Sequence, residues 1–497
     1  MSWQKLDELC HKLESLEHAK AMLSADEATQ MPAGGGAKRA EAVAFISGLY
    51  HEMASAPEIA DWIHAARSQT ETDDQVAALA EFERAYRDRT CLPAEFVRRK
   101  TEADMRSEQL WRELRPTSDW NTFRPALEGV IELAREEAAM RSAAGGLDPY
   151  DALIDQFDPG SRADQIAPVF ATLKAFLKDF LPRVIDAQER RLAKRPLKAL
   201  AGPYPVEGQR RLGLALMRAV GFDFEHGRLD TSHHPFCGGV PTDVRMTTRY
   251  REDDFLVALM GVLHETGHAL YEQNLPKDWS HWPLGQARGM SIHESQSLFM
   301  EMQVARMPEF WEWAMPQVHE HLGQTVEGWT GADVLAHVNH VQAGFIRVDA
   351  DEVTYPLHVI LRFELEQELI SGRLQVADIP EAWDAKMREY LGLGTLDNPR
   401  DGPMQDVHWP VGLFGYFPSY TLGALTAAQQ WWALEREMPD IREDVRAGRF
   451  DRLIDWRKAN IWSQGSRYST PDLVVRSTGK PLDPEIFVAH LTQRYLG

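Results

Sequence analysis

Residues 253–273 read DDFLVALMGVLHETGHALYEQ, and the reading of this stretch decides the fold. Phe255, Leu256, Leu259, Leu263 and Leu270 recur at helical spacing, so one buried helix is expected from about Asp253 to Gln273. Inside it, His264-Glu265-Thr266-Gly267-His268 is an HExxH sequence. Residues four apart share a helix face, so both imidazoles can converge on one ion. Glu265 lies about 100° round from His264 and about 60° from His268 at the helical repeat. It borders the ion without having to ligate it, the place for a general base. Gly267 costs about 1 kcal/mol relative to Ala in a helix interior, which implies that something packs closely against that turn. The plain alternative is two core histidines on an ordinary helix.

Zinc catalysis needs three protein ligands and one open position. Neither a second HExxH nor an HExxHxxGxxH extension is present, since Ala269, Leu270, Tyr271 and Glu272 follow His268. The third ligand is therefore expected to be a carboxylate on a later helix. His293-Glu294-Ser295-Gln296-Ser297 begins 25 residues downstream and leads into Leu298, Phe299 and Met300. Glu294 is the candidate, against the alternative of an acid that merely favours a helix N-terminus.

Outward from this helix the chain stays helical. Leu6, Leu9, Leu13, Leu16 and Met22 fall at spacings of three and four before MPAGGGA breaks the pattern at residues 31–37. Further helices are expected near residues 39–55, 74–89, 93–115, 123–143 and 163–194, the last interrupted by Pro182. AGPYP at residues 201–205 is a plausible boundary. It would separate an N-terminal helical region, 1–200, from a catalytic region, 201–497, the two forming one integrated fold. Eleven of the fifteen tryptophans lie after residue 270, which places the larger core there. VRMTTRY, residues 244–250, alternates and reads as one short strand. The fold class is mostly α with a small β element.

The 497 residues carry 44% hydrophobic and 26% charged side chains, an ordinary globular composition with ample chain for a core. Fifty-four Lys and Arg against 75 Asp and Glu give a net charge of −21, which argues against nucleic-acid or anionic-membrane binding. Cys10, Cys91 and Cys237 are far apart with no CxxC, as suits a reducing cytosol. The charged N-terminus lacks a signal-peptide core, and no apolar stretch approaches a membrane span. A cytoplasmic protein is expected.

Six motifs in order resemble the signatures of the M32 metallocarboxypeptidases, also called thermostable or Taq-type carboxypeptidases. They are HPF at 234–236, DVRMT at 243–247, HETGH at 264–268, HESQ at 293–296, IRVDAD at 346–351 and GPMQDVHW at 402–409. The resemblance implies a large helical zinc-peptidase fold with a deep substrate groove, walled or lidded by the N-terminal helices, and a small sheet near the site. It implies a homodimer that releases single residues from free peptide C-termini, with broad preference and proline disfavoured. It also implies one Zn2+ per subunit, with Co2+ a possible substitute, on His264, His268 and Glu294, and Glu265 as catalytic base.

Recognition of a terminal carboxylate calls for arginine, whose planar fork matches it bidentately. Arg347 is the first candidate, near the end of a helix expected to stop at about Val348; its plain alternative is an ion pair with Asp349, Asp351 or another acid. Arg245 shares a strand face with Asp243 and Thr247. In the family this segment, with His234, is associated with closing the site beyond the substrate's terminus; an edge-strand salt bridge is the alternative. Gln405, Asp406 and His408 lie in a loop between Pro403 and Pro410. Tyr420, with His408, resembles the oxyanion-donor pair of related helical peptidases, and Tyr416 is the runner-up; Ser419 is expected to cap their helix. A zinc endo-oligopeptidase on the same scaffold, and a helical binding protein with an inert HExxH, are the competing readings.

Overall fold

In the computed structural model, which describes residues 2–497, four helices come first. These are α1 (Ser2–Thr29), α2 (Gly36–Ala54), α3 (Glu58–Ala66) and α4 (Asp73–Thr90). The leucines at 6, 9 and 13 pack with Ile59, Ile63, Leu79 and Phe82, and this small core closes on Trp282 and Leu284 from the second half of the chain. A reciprocal Thr72–Gln75 capping box starts α4.

The chain continues through α5 (Ala94–Leu114), α6 (Trp120–Gly145), α7 (Pro149–Ile154), α8 (Ala163–Lys194) and α9 (Val206–Ala219). No break occurs in α8, although Pro182 was expected to interrupt it; Pro168 and Pro182 both sit inside the helix. Burial of Leu177, Phe180, Leu181 and Val184 along one side offsets the lost backbone bonds.

Three strands follow: β1 (Gly227–Thr231), β2 (Phe236–Val240) and β3 (Asp243–Thr248). The order is β1-β3-β2, parallel on one side and antiparallel on the other, with Arg245 opposite Arg228 and Gly238. The single expected strand is thus central rather than an edge, and it ends at Thr248 instead of Tyr250. β2 is FCGGV, whose glycines hide it from strand propensity. Gly239 has φ +90° and lies against the Asp243 carbonyl, so no side chain fits there.

The remaining helices are α10 (Phe255–Gln273), α11 (Met290–Leu298), α12 (Pro308–Leu322), α13 (Gly331–Val338), α14 (Tyr355–Ile370), α15 (Ile379–Leu391) and α16 (Pro418–Glu437). Four more close the chain: α17 (Ile441–Arg446), α18 (Asp451–Asn460), α19 (Thr470–Thr478) and α20 (Pro484–Leu496). Asp254 caps α10 by accepting from the amides of Leu256 and Val257. A π-helical turn, Phe299–Val304, continues α11.

The helix expected to end near Val348 ends at Val338 instead, and Arg347 opens a single 3-10 turn, Arg347–Asp349. Between them Gln188 clamps Val341, its amide pairing with both the N–H (2.8 Å) and the C=O (2.9 Å). That side chain satisfies backbone groups which a helix would otherwise have satisfied. Ser419 does not cap α16 either: it lies inside the first turn and donates to buried Asp158 at 2.6 Å. Residues 120–184 share one core with residues 341–495, and residues 204–474 build another around α10.

Candidate active site

α10 and α11 cross so closely that a Cβ on Gly267 would lie 2.5 Å from the Ser297 Cα. The expected close packing at Gly267 is this crossing. On the other side of α11, a Cβ on Gly423 of α16 would lie 2.8 Å from the Glu294 Cβ. Glycines on both flanking helices therefore let Glu294 sink between them. Its Oε2 lies 3.5 Å from His268 Nε2 and 3.9 Å from His264 Nε2, and one donor atom from each of the three lies within 4.8 Å of the others. Ligand atoms about 2.0–2.2 Å from one tetrahedral ion lie roughly 3.3 Å apart, so the three fit a single cation after small adjustments.

Each ligand candidate is held from behind. His264 Nδ1 meets Glu301 Oε2 at 2.9 Å, and Glu301 in turn accepts from Arg306 at 3.3 Å. His268 Nδ1 meets His293 at 2.6 Å, and His293 Nε2 meets Glu272 at 2.7 Å. Ser297 donates to Glu294 Oε2 at 3.2 Å. Such outer partners fix ring orientation and raise ligand basicity. Glu301, His293 and Glu272 were not singled out as site residues from sequence. Two signals were there: Glu272 follows His268 by four, and Glu301 follows Glu294 by seven.

Charge is concentrated here. Burial works to raise Glu294, but the His268 bond and the charge of His264 hold it down at about 2. Burial pushes His268 down to about 4, leaving a neutral imidazole fit to ligate. Burial acts the same way on His264, yet its Glu301 bond and the Glu294 charge carry it up to about 10; a cation in the triad would take over that proton's role. Glu265 is 8% exposed. Burial lifts it to about 7, with His264 pulling it down and Glu294 pushing it up.

Facing the triad is an aromatic wall built on α14, α16 and the loop between α15 and α16. The hydroxyls of Tyr355, Tyr416 and Tyr420 all feel the Glu294 charge. Tyr420 OH lies 3.1 Å from His408 Nε2, and the Tyr416 ring packs edge-on against Tyr420 at 5.3 Å. Burial depresses His408 to about 4, so its ring is neutral.

Arg347 is buried in this wall. Its Nε and Nη2 donate to Asp406 Oδ1 (3.1 and 2.8 Å), and its Nη1 donates to Tyr355 OH (2.7 Å). The guanidinium lies 4.9 Å from the Tyr420 ring centroid, and its backbone N–H donates to Gln405. The partner is thus Asp406, not Asp349 or Asp351. Asp406 Oδ2 also accepts from fully buried Arg362, at 2.7 Å from Nε. Among the described residues no second carboxylate pairs with either arginine, so two buried guanidiniums share one acid.

At the sheet, Arg245 makes a two-pronged ion pair with Asp243 (2.5 and 2.7 Å), both about a third exposed. Thr247 points to the other partners of β3, at 2.7 Å from Ser232 Oγ and accepting from the Phe236 N–H. Ser232 donates in turn to the carbonyl of exposed His234. None of these four residues bonds to the triad. A cavity of about 430 Å3 runs from the wall formed by α1 and α4, past β2, to His293 and Glu272.

Residues 5–495 match the model of the family described as Carboxypeptidase Taq (M32) metallopeptidase. The chain belongs to that family. It is 40% identical to thermostable carboxypeptidase 1 of Thermus thermophilus, covering 99% of this chain and 98% of the relative. Among solved structures, metallocarboxypeptidase 1 of Trypanosoma cruzi superposes with a TM-score of 0.95 at 37% identity, over 100% of this chain and 99% of that one. The M32 carboxypeptidase of Deinococcus radiodurans gives 0.93 at 34% identity, over 99% and 98%. An M32 chain is a peptide-bond hydrolase of the carboxypeptidase type and works with a metal ion, for which this one has a matching His-His-Glu cluster. None of its described helices is long and apolar enough to cross a membrane.

Proposed function

We propose that the metal is zinc, held by His264, His268 and Glu294, and that the enzyme releases single residues from peptides with a free C-terminus. Two imidazoles and one carboxylate form a borderline donor set that suits zinc, or cobalt in its place, better than an all-oxygen cation. When bound, the ion supplies Lewis acidity toward water and the scissile carbonyl. Glu265 takes a proton from the attacking water at its carboxylate and returns it to the leaving amine. With its proton on Nε2, His408 would donate to Tyr420 and leave that hydroxyl's proton free for the developing oxyanion, with Tyr416 beside it.

The reading of the terminus rests on charge. Arg347 and Arg362 share Asp406, which leaves one positive charge without a partner in a dry wall opposite the triad. A substrate carboxylate supplies the missing negative charge, engaging Arg347 through the Nη1 now donated to Tyr355, while Gln405 and Asp406 hold the fork in place. Arg245, set by Asp243, closes the far end together with His234, whose carbonyl is tied to Thr247 through Ser232. Broad residue preference with proline disfavoured and a homodimer accompany this reading through the family resemblance, and a cytoplasmic setting through the three separated cysteines. So does the role of the helices before residue 200 as a wall or lid.

The observation that carries the proposal is an HExxH helix and a distant glutamate meeting opposite an arginine pair that lacks one acid. Peptides with free and amidated C-termini test it. Amidation is expected to abolish cleavage; unchanged cleavage would favour an endo-oligopeptidase on the same scaffold.

A further inference from the structure

Asp7 and His11 stand one turn apart on α1, and His281 reaches them from the segment between α10 and α11. One donor atom from each lies within 4.8 Å of the others, the same closeness seen in His264, His268 and Glu294. His281 Nε2 is 2.8 Å from Asp7 Oδ1, and Trp282 Nε1 donates to that same oxygen at 2.8 Å. The His11 and His281 rings stack at 3.7 Å with their planes 6° apart. Burial works to raise Asp7, but the bonds from Trp282 and His281 and the nearby imidazoles hold its carboxyl below the usual range.

We infer that Asp7, His11 and His281 form a second divalent-cation site, which takes Zn2+ or a similar borderline metal and clips α1 to the chain that follows the HExxH helix. Two imidazoles and a carboxylate are the donor types of a zinc site with open positions. Spacing of four on α1 puts Asp7 and His11 on one face. The third ligand is anchored: the His281 side chain is 15% exposed, and the neighbouring Trp282 is buried against α1 and α4. The His11 side chain is 58% exposed, with Nδ1 3.8 Å from Glu14 Oε2, and a small turn out of its stack aims a ring nitrogen at the ion.

Position supplies the purpose. His281 lines the 430 Å3 cavity together with Glu14, Glu17 and His18 of α1 and with His293. An ion on Asp7, His11 and His281 therefore pins the α1 wall beside the catalytic cleft. The acid beside this cluster, Glu14 at 3.8 Å from His11, is 41% exposed where Glu265 is 8% exposed, so the site holds rather than catalyses.

The test is zinc uptake by the full-length protein, measured by calorimetric titration and elemental analysis after chelator-free purification. Wild type is expected to take two equivalents, and His11→Ala and Asp7→Asn one each. His264→Ala is expected to lose the other equivalent and keep this one. Because His11 is exposed, its variant should match the melting temperature of wild type in chelator. If wild type and His11→Ala take up equal zinc, the cluster is a simple His–Asp clip and the inference is overturned. Failure of the triad to bind would instead appear as His264→Ala matching wild type, a separate result.

Discussion

The floor of the cleft and its sheet rim both carry motifs of the family, yet they are built differently. On the floor and its facing wall the candidate residues are buried or half-buried and doubly engaged: His264 and His268 with their outer partners, Glu294 between two glycine crossings, and, in the wall, Arg347 with Asp406 and Tyr355. On the rim, Arg245 has Asp243 alone and His234 is exposed. Fixed groups in a dry setting act strongly on developing charge, whereas screened and mobile ones act weakly. Floor substitutions should therefore be severe and rim substitutions mild.

Glu265→Gln should have the largest effect. With the triad intact it keeps its metal, and kcat falls at least about 100-fold, as expected for loss of a general base. Single-turnover assays beside metal analysis check this; full activity in the variant would leave an inert HExxH. Arg347→Leu comes next. For free-terminus peptides kcat/KM should fall about 100-fold or more, since the variant removes one partner of a buried charged contact. If the loss is no larger than for Arg245→Gln, the contrast between floor and rim fails.

Gly267→Ala forces a methyl into the α10–α11 crossing, at a cost of about 1–3 kcal/mol. Denaturant unfolding should show this, together with weaker metal retention. His358 sharpens the same contrast through pH. Buried on α14, it is pushed down to about 3 by burial and by the Arg362 and Arg347 charges, against Asp406. The unfolded chain takes a proton near pH 6.5 that the folded chain refuses until about 3, so stability falls as pH drops through that window. His358→Gln should flatten the acid side of the melting-temperature profile; an unchanged slope would show that His358 does not set it. Arg245→Gln should be smallest: an exposed pair contributes at most about 1 kcal/mol, so kcat/KM should change less than about 5-fold.

Some of this architecture can be read along the chain and some cannot. The α10 helix is legible from its leucine spacing, which depends on neighbours in sequence, and Glu294 from the search for a carboxylate after HExxH. Asp406 lies 59 residues beyond Arg347, and Glu301 reaches His264 from a π-helical turn, so both pairings exist only through packing. β2 pairs despite its glycines because β3 offers it a partner edge. α8 runs past Pro182 because its buried face outweighs the local penalty. Local rules located the His-His-Glu cluster; the wall that faces it was set by contacts between distant segments.

A zinc-edge anomalous difference map from crystals of the full-length protein tests the central claim most directly. The account predicts a peak about 2.0–2.2 Å from His264 Nε2, His268 Nε2 and a Glu294 oxygen. Density that shows Glu294 turned away from both rings, with no peak between them, would contradict it.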